Sequence, residues 1–164
     1  PHAALPHHLS EQEPVGDGLL LLDYGCIVDG YHSDMSRTIW LDGEPDDEIV
    51  RIHQAVLESQ EAGIEAVRPG VTGHEVDEAC RVVLRKYGYE EQFVHSTGHG
   101  VGLEIHEGPR LARNSEDVLE RGHVVTVEPG VYVPGFGGVR IEDMVVVRDD
   151  GHEVLTKSEK GLDA

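Results

Sequence analysis

The apolar pattern changes period along the chain. Residues 1 to 17 contain Pro1, Pro6 and Pro14 and no periodicity, which predicts a loop. Leu19 to Tyr24 is a short apolar run and predicts a buried strand. Gly25, Asp29 and Gly30 supply turn chemistry, and Met35 to Leu41 predicts the strand that pairs back. Asp23 then lies on the first strand and Asp34 enters the second. A helical period follows. Pro45 with Asp46, Asp47 and Glu48 makes a helix start, and Ile49, Ile52, His53, Val56, Leu57 and Ile64 keep the spacing up to Arg68-Pro69-Gly70. Thr72 with Glu75 forms a capping box for a second helix, carried by Val76, Ala79, Cys80, Val83 and Leu84 to Gly88. Both helices read as scaffold, with their charges as solvated faces. The rest is strand-like: a glycine- and histidine-rich stretch from Val94 to Gly108, then β-branched runs at Val124 to Val127, Val131 to Val133 and Val139 to Val147. No fixed-period repeat is visible. Residues 16–23 and 121–128 echo each other faintly, each a turn and a strand ending in a carboxylate. The expectation is one α+β domain.

Charge narrows the function classes. In 164 residues Lys plus Arg is 13 and Asp plus Glu is 32, a net charge of −19. That excludes binding to nucleic acid through phosphate neutralisation and argues against docking on anionic membranes. No apolar run approaches the roughly 20 residues of a membrane span. No secretory signal opens the chain, and Cys26 and Cys80 make no disulfide scaffold, so the expected location is cytoplasmic. Three lysines stand against ten arginines. Two readings fit this acidity: an ordinary acidic cytosolic protein, or a halophilic one from a salt-rich cytoplasm where screening tames self-repulsion.

Acids inside apolar strands are the informative anomaly. Asp23 follows four leucines, Glu128 ends Val-Val-Thr-Val, and Glu142 precedes Asp143-Met-Val-Val-Val. A buried carboxylate must be paired, hydrogen-bonded or bound to a cation. One such residue is usually a satisfied structural acid; three, with Asp34, favour a shared cation site. Oxygen donors suit hard divalent ions, and an added imidazole favours Mn²⁺, Fe²⁺, Co²⁺ or Zn²⁺. His95, His99 and His106 lie among Gly98, Gly100 and Gly102, which let the backbone approach something closely. A phosphate cradle is the weaker alternative, since no Gly-Lys-Ser/Thr follows. A serine triad on Ser96 is weaker still, lacking a Gly-x-Ser-x-Gly context.

Six segments in order resemble one family. They are Leu-Leu-Asp23-Tyr-Gly, Ser-Asp34-Met-Ser-Arg-Thr, His95-Ser-Thr-Gly-His99-Gly-Val-Gly, Ile-His106-Glu-Gly-Pro, Val-Glu128-Pro-Gly-Val-Tyr and Val-Arg140-Ile-Glu142-Asp. The pattern is similar to the pita-bread metallopeptidases: Xaa-Pro aminopeptidases, Xaa-Pro dipeptidases (prolidases) and methionine aminopeptidases, with creatinase as a non-metal relative. Arg-Ile-Glu-Asp after Gly-Gly-Val resembles the Xaa-Pro branch.

The resemblance implies a pita-bread α+β fold and five metal ligands: Asp23, Asp34, His99, Glu128 and Glu142. Asp34 and Glu142 would bridge two divalent ions, with Asp23 completing one and His99 with Glu128 the other. Manganese is the first expectation, with cobalt, zinc or iron as alternatives. Two ions roughly 3.5–4 Å apart can hold a bridging hydroxide and polarise a scissile carbonyl. The resemblance gives His7, His95 and His106 substrate-handling roles, and Arg140 the orienting of a ligand carboxylate. The implied substrate is a peptide with proline in second position, whose tertiary amide has no N–H for ordinary peptidases to grip. A homodimer is left open. Family catalytic domains begin well before the first ligand strand, so residues 1–164 are expected to be the C-terminal part of the catalytic domain, lacking its first helices and strand and any N-terminal domain. The rival reading is a truncated, inactive metal-binding or interaction module of the same fold.

Overall fold

The computed structural model describes residues 2–6, 8–9, 12 and 14–163. Eleven short strands and two helices are seen among them. Helix α1 (Asp47–Ala66) starts on an acidic turn, and α2 (Gly73–Tyr87) opens on the predicted capping box: the Thr72 hydroxyl accepts from Glu75 N–H and the Glu75 carboxylate accepts from Thr72 N–H. Gly88 ends α2 with φ 86°, a left-handed conformation that glycine adopts without a Cβ penalty. Val76, Cys80 and Leu84 repeat every four residues and are fully buried on one face of α2. They meet the α1 stripe of Ile52, Ala55 and Val56. Gly63 permits the approach of α1 to its neighbours, since a Cβ there would lie 2.4 Å from Cys80 Sγ and 2.8 Å from Val127 Cγ1.

The helices cover a five-stranded antiparallel sheet in the order β11 (Gly151–Val154), β10 (Asp143–Arg148), β7 (Val124–Val127), β5 (Gly98–Gly100), β6 (Glu107–Leu111). Val125, Val127, Val145, Val147 and Leu111 fill the core between sheet and helices. Strands β1 (Gly18–Tyr24) and β4 (Met35–Leu41) pair antiparallel as expected, from Gly18 opposite Leu41 to Tyr24 opposite Met35. A small hairpin of β2 (Ile27–Val28) and β3 (Tyr31–His32) is inserted at their turn, and β8 (Gly130–Val133) pairs with β9 (Gly137–Arg140). Among the described residues no helix is long and apolar enough to cross a membrane.

Three expectations need correction. The first strand is not buried: Leu19 to Leu21 are half-buried, Leu22 is 36 % exposed and Tyr24 53 %, because β1 is laddered only to β4 among the described residues. The run Val139 to Val147 is not one strand. It breaks at Ile141-Glu142, and its halves join different sheets. The helix charges are not all solvated, since Asp77 and Arg81 form an ion pair of 2.6 Å with both side chains buried.

Candidate metal centre

Strand ends deliver the acids to one place. Asp23 lies near the end of β1, Asp34 just before β4, Glu128 just after β7, and Glu142 between β9 and β10, while His99 is the central residue of β5. All five line a single cavity of about 970 Å³, with His95, His106 and Arg140. Asp34, His99 and Glu142 each offer a ligand atom within 4.8 Å of the others. His99 Nε2 is 3.3 Å from Glu128 Oε1 and 3.7 Å from Asp34 Oδ2. Asp23 is turned toward Arg140, at 2.5 Å. Its side chain is 50 % exposed, so the burial expected of this acid from its four leucines does not hold. His7 lies outside the described residues.

The tautomer of His99 suits ligation. Its Nδ1 donates to Gly100 C=O at 3.0 Å, so Nε2 is the nitrogen that faces the carboxylates and would offer its lone pair to a cation on losing its proton. Backbone placement is equally fixed: His99 N–H donates to the Thr126 hydroxyl, which donates in turn to Glu128 Oε1. The glycines on either side of His99 admit neighbouring backbone rather than a phosphate. A Cβ on Gly98 would lie 2.0 Å from Thr126 O, and one on Gly100 2.1 Å from Gly108 O.

The charges here oppose one another. Burial, then the neighbouring Asp23 and Glu128 charges, push the Asp34 carboxyl up to about 6. Burial, then Glu128 and Asp34, push Glu142 well above the usual carboxylate range. Burial pushes Glu128 the same way, but its hydrogen bond with His99 and the nearby His95, His99 and Arg140 hold it below the ordinary value. His99 is the converse: burial lowers it, and Glu128, Gly100 and Asp34 raise it overall. Buried acids that repel each other around one imidazole are a donor set that a divalent cation relieves.

Arg140 ties the periphery together. Its guanidinium donates to Asp23 Oδ2, to the Ser36 hydroxyl at 2.9 Å, to Pro6 O at 2.9 Å and to the Tyr132 hydroxyl at 2.9 Å. The Ser36 hydroxyl in turn donates a hydrogen bond to Glu142 Oε2 at 2.7 Å. One arginine therefore steadies Asp23 directly and Glu142 through a hydroxyl. Tyr132, accepting from Arg140, donates to His95 Nε2 at 2.8 Å, and His95 Nδ1 donates to Ser96 O. Burial pushes the Tyr132 hydroxyl up to about 12, so it stays a donor. His106 is exposed in the cleft, its ring edge-on to His99 with centroids 4.3 Å apart.

Sequence reasoning missed five contributors. Ser36 and Tyr132 carry signals only in hindsight, two and four residues after Asp34 and Glu128. Asp77 accepts from Thr97 N–H and hydroxyl, while Arg81 donates to Phe93 O and His95 O, so this buried pair shapes the loop that carries His95. Arg110, opposite His99 in the β5–β6 register, brings a further cation to the cavity wall.

Residues 1–149 match the description of metallopeptidase family M24. The chain belongs to metallopeptidase family M24. It is 45 % identical over 161 residues to an Xaa-Pro dipeptidase of Pyrococcus furiosus, covering 98 % of this chain and 46 % of that relative. The solved Xaa-Pro dipeptidase of Bacillus anthracis superposes with a TM-score of 0.95 at 49 % identity, over 98 % of this chain and 45 % of that one. The X-Pro aminopeptidase of Thermotoga maritima MSB8 gives 0.94 at 40 %, over 98 % and 45 %. The chain thus has the α+β pita-bread architecture of these M24 structures and spans slightly less than half their length.

Proposed function

We propose that the chain is the metal-binding part of an Xaa-Pro peptidase, the C-terminal part of its catalytic domain, with two divalent ions held by Asp23, Asp34, His99, Glu128 and Glu142. The convergence of Asp34, His99 and Glu142 within 4.8 Å carries this reading. Asp34 and Glu142 are the proposed bridges, because each is pushed up by the other acids and gains most from two cations. The oxygen-rich set with one imidazole favours Mn²⁺ over Co²⁺, Zn²⁺ or Fe²⁺. When bound, the ions would supply Lewis-acid polarisation of the scissile carbonyl and an activated water.

The chain's own residues supply the rest. Arg140 and Ser36 hold Asp23 and Glu142 in aim. Exposed His106, at the cleft face of His99, donates to the developing oxyanion, and His7 and His95 complete the substrate-handling set. His95 is fixed in orientation by Tyr132 and Ser96, so it acts as an oriented wall rather than a mobile base. The proposed substrate is a peptide with proline in second position. The names of similar proteins, Xaa-Pro dipeptidase and X-Pro aminopeptidase, support that class. The rival reading is an inactive metal-binding or interaction module of the same fold.

One assay separates them. Purified chain with Mn²⁺ is mixed with Xaa-Pro dipeptides and longer Xaa-Pro peptides, and release of the first amino acid is followed. Turnover in the wild type, lost by at least a hundredfold in His106→Ala while Mn²⁺ binding persists, is the expected result. Mn²⁺ binding without turnover would leave the inactive module standing. No Mn²⁺ binding at all would remove the metal reading.

A further inference from the structure

Behind the cavity wall lies a second, drier cluster of charge. Arg37, on β4 three residues after Asp34, has a side chain only 7 % exposed. A guanidinium has five N–H donors, and all five of Arg37's are used. Nε donates to Glu159 O at 2.8 Å. Nη1 donates to Ser36 O at 2.8 Å and Glu142 O at 2.6 Å. Nη2 donates to Asp143 Oδ1 at 2.7 Å and Ser158 O at 3.0 Å. Fully buried Asp143 also takes Gln60 Nε2 at 2.9 Å and Lys160 Nζ at 2.6 Å on its other oxygen.

Strand alternation gives this cluster its meaning. Successive side chains on extended backbone point to opposite faces. Glu142 lines the cavity and Ser36 donates to its carboxylate from the same side, while their chain neighbours Arg37 and Asp143 face the back. Glu142 N–H donates to Ser36 O, and Arg37 clamps both carbonyls of that bridge. The cover on this back face is the irregular segment 155–162. Its Ser158 and Glu159 carbonyls close Arg37, its Lys160 ammonium closes Asp143, and its Lys160 and Leu162 carbonyls accept from His53 Nε2 on α1 and from Trp40 N–H on β4.

We infer that segment 158–162 is a strap that sets the aim of Glu142 and Ser36 from behind, with Arg37, Asp143 and Lys160 as positioning residues for the metal centre. The inference rests on the metal reading above. Without the strap Arg37 loses two of its five acceptors and Asp143 one of its two cations. A guanidinium so released no longer fixes the two carbonyls, and the carboxylate of Glu142 loses its fixed register against Asp34 and His99. Partners that orient ligands from behind typically govern metal affinity by 10–100-fold.

The test is a Mn²⁺ titration by calorimetry at 25 °C on the wild type, Lys160→Met, Lys160→Arg and a chain ending at Thr156, with thermal unfolding of each metal-free form. The expected result is a loss of roughly tenfold or more in Mn²⁺ affinity in Lys160→Met and in the shortened chain, with Lys160→Arg recovering most of it. Lys160 is a quarter exposed, so its methionine variant keeps the core and decides the matter if the shortened chain does not fold. Unchanged Mn²⁺ affinity alongside a lower melting temperature would make the strap merely structural and overturn the inference. A wild type that takes up no Mn²⁺ while Asp34→Asn behaves identically would overturn the metal reading itself, and the strap's role with it.

Discussion

Asp34 is 13 % exposed, close to His99 and within the field of Asp23 and Glu128, and its carboxyl is pushed from an ordinary 3.8 up to about 6 by burial and by those charges. A carboxyl raised by folding costs stability wherever it is ionised in both states. That cost is full above the folded value of about 6 and vanishes as pH falls through the unfolded value near 3.8. At pH 7.5 it comes to about 2 kcal/mol after allowance for its coupling to Glu142. Asp34→Asn is therefore expected to raise the metal-free melting temperature by roughly 4–8 °C at pH 7.5, and by almost nothing at pH 3.5. The same variant is expected to lose most of the Mn²⁺-induced gain expected of the wild type. Differential scanning calorimetry with and without Mn²⁺ reads both effects, and equal Mn²⁺ shifts in the two proteins would contradict a bridging role. The proposed metal site would thus trade stability of the free chain for cation binding.

Helix α2 is where element-level reading of the sequence both worked and failed. Its limits were legible because capping box and terminal glycine are local chemistry, each decided within a few residues. Asp77 and Arg81 were not legible. An acid and a base four apart on a helix look the same whether they face water or the loop at 93–97, and only the tertiary contact decides. The break in the run Val139 to Val147 was hidden for a like reason: the β-branched alternation continues through Ile141 while the ladder partner changes from β8 to β7. In the site, acids at strand ends stood out against their apolar neighbours, but Ser36, Tyr132 and Arg37 did not, since hydroxyls and a strand arginine acquire their roles from partners 37 to 106 residues away in the sequence. Removing one member of a buried ion pair leaves the other uncompensated, so Asp77→Ala is expected to cost about 3–5 kcal/mol. Glu78→Ala, which frees only an exposed partner of Arg85, is expected to cost under about 1 kcal/mol. Urea denaturation of the two variants measures the contrast; comparable losses would mean that the buried pair does not anchor the loop carrying His95.

At the scale of the molecule, −19 on 164 residues is self-repulsion with few lysines to offset it. Screening length falls from about 10 Å at 0.1 M salt to about 3 Å at 1 M. The metal-free chain is therefore expected to gain melting temperature between 0.1 M and 2 M KCl, beyond the salting-out gain of a neutral protein of similar size. A flat or falling series would remove the salt-rich reading of its acidity and leave the family untouched.

The ribbon of β1 and β4 gives that charge a second meaning. Beyond its ladder to β4, β1 carries half-buried leucines, exposed Leu22 and Tyr24, and a row of backbone donors and acceptors that other described strands do not take up. At low ionic strength the shared negative field holds identical molecules apart, a colloidal barrier independent of how well each is folded. Salt that tightens the single molecule also dissolves this barrier, so the solutions in which the chain is most stable are also those in which its copies approach one another most closely.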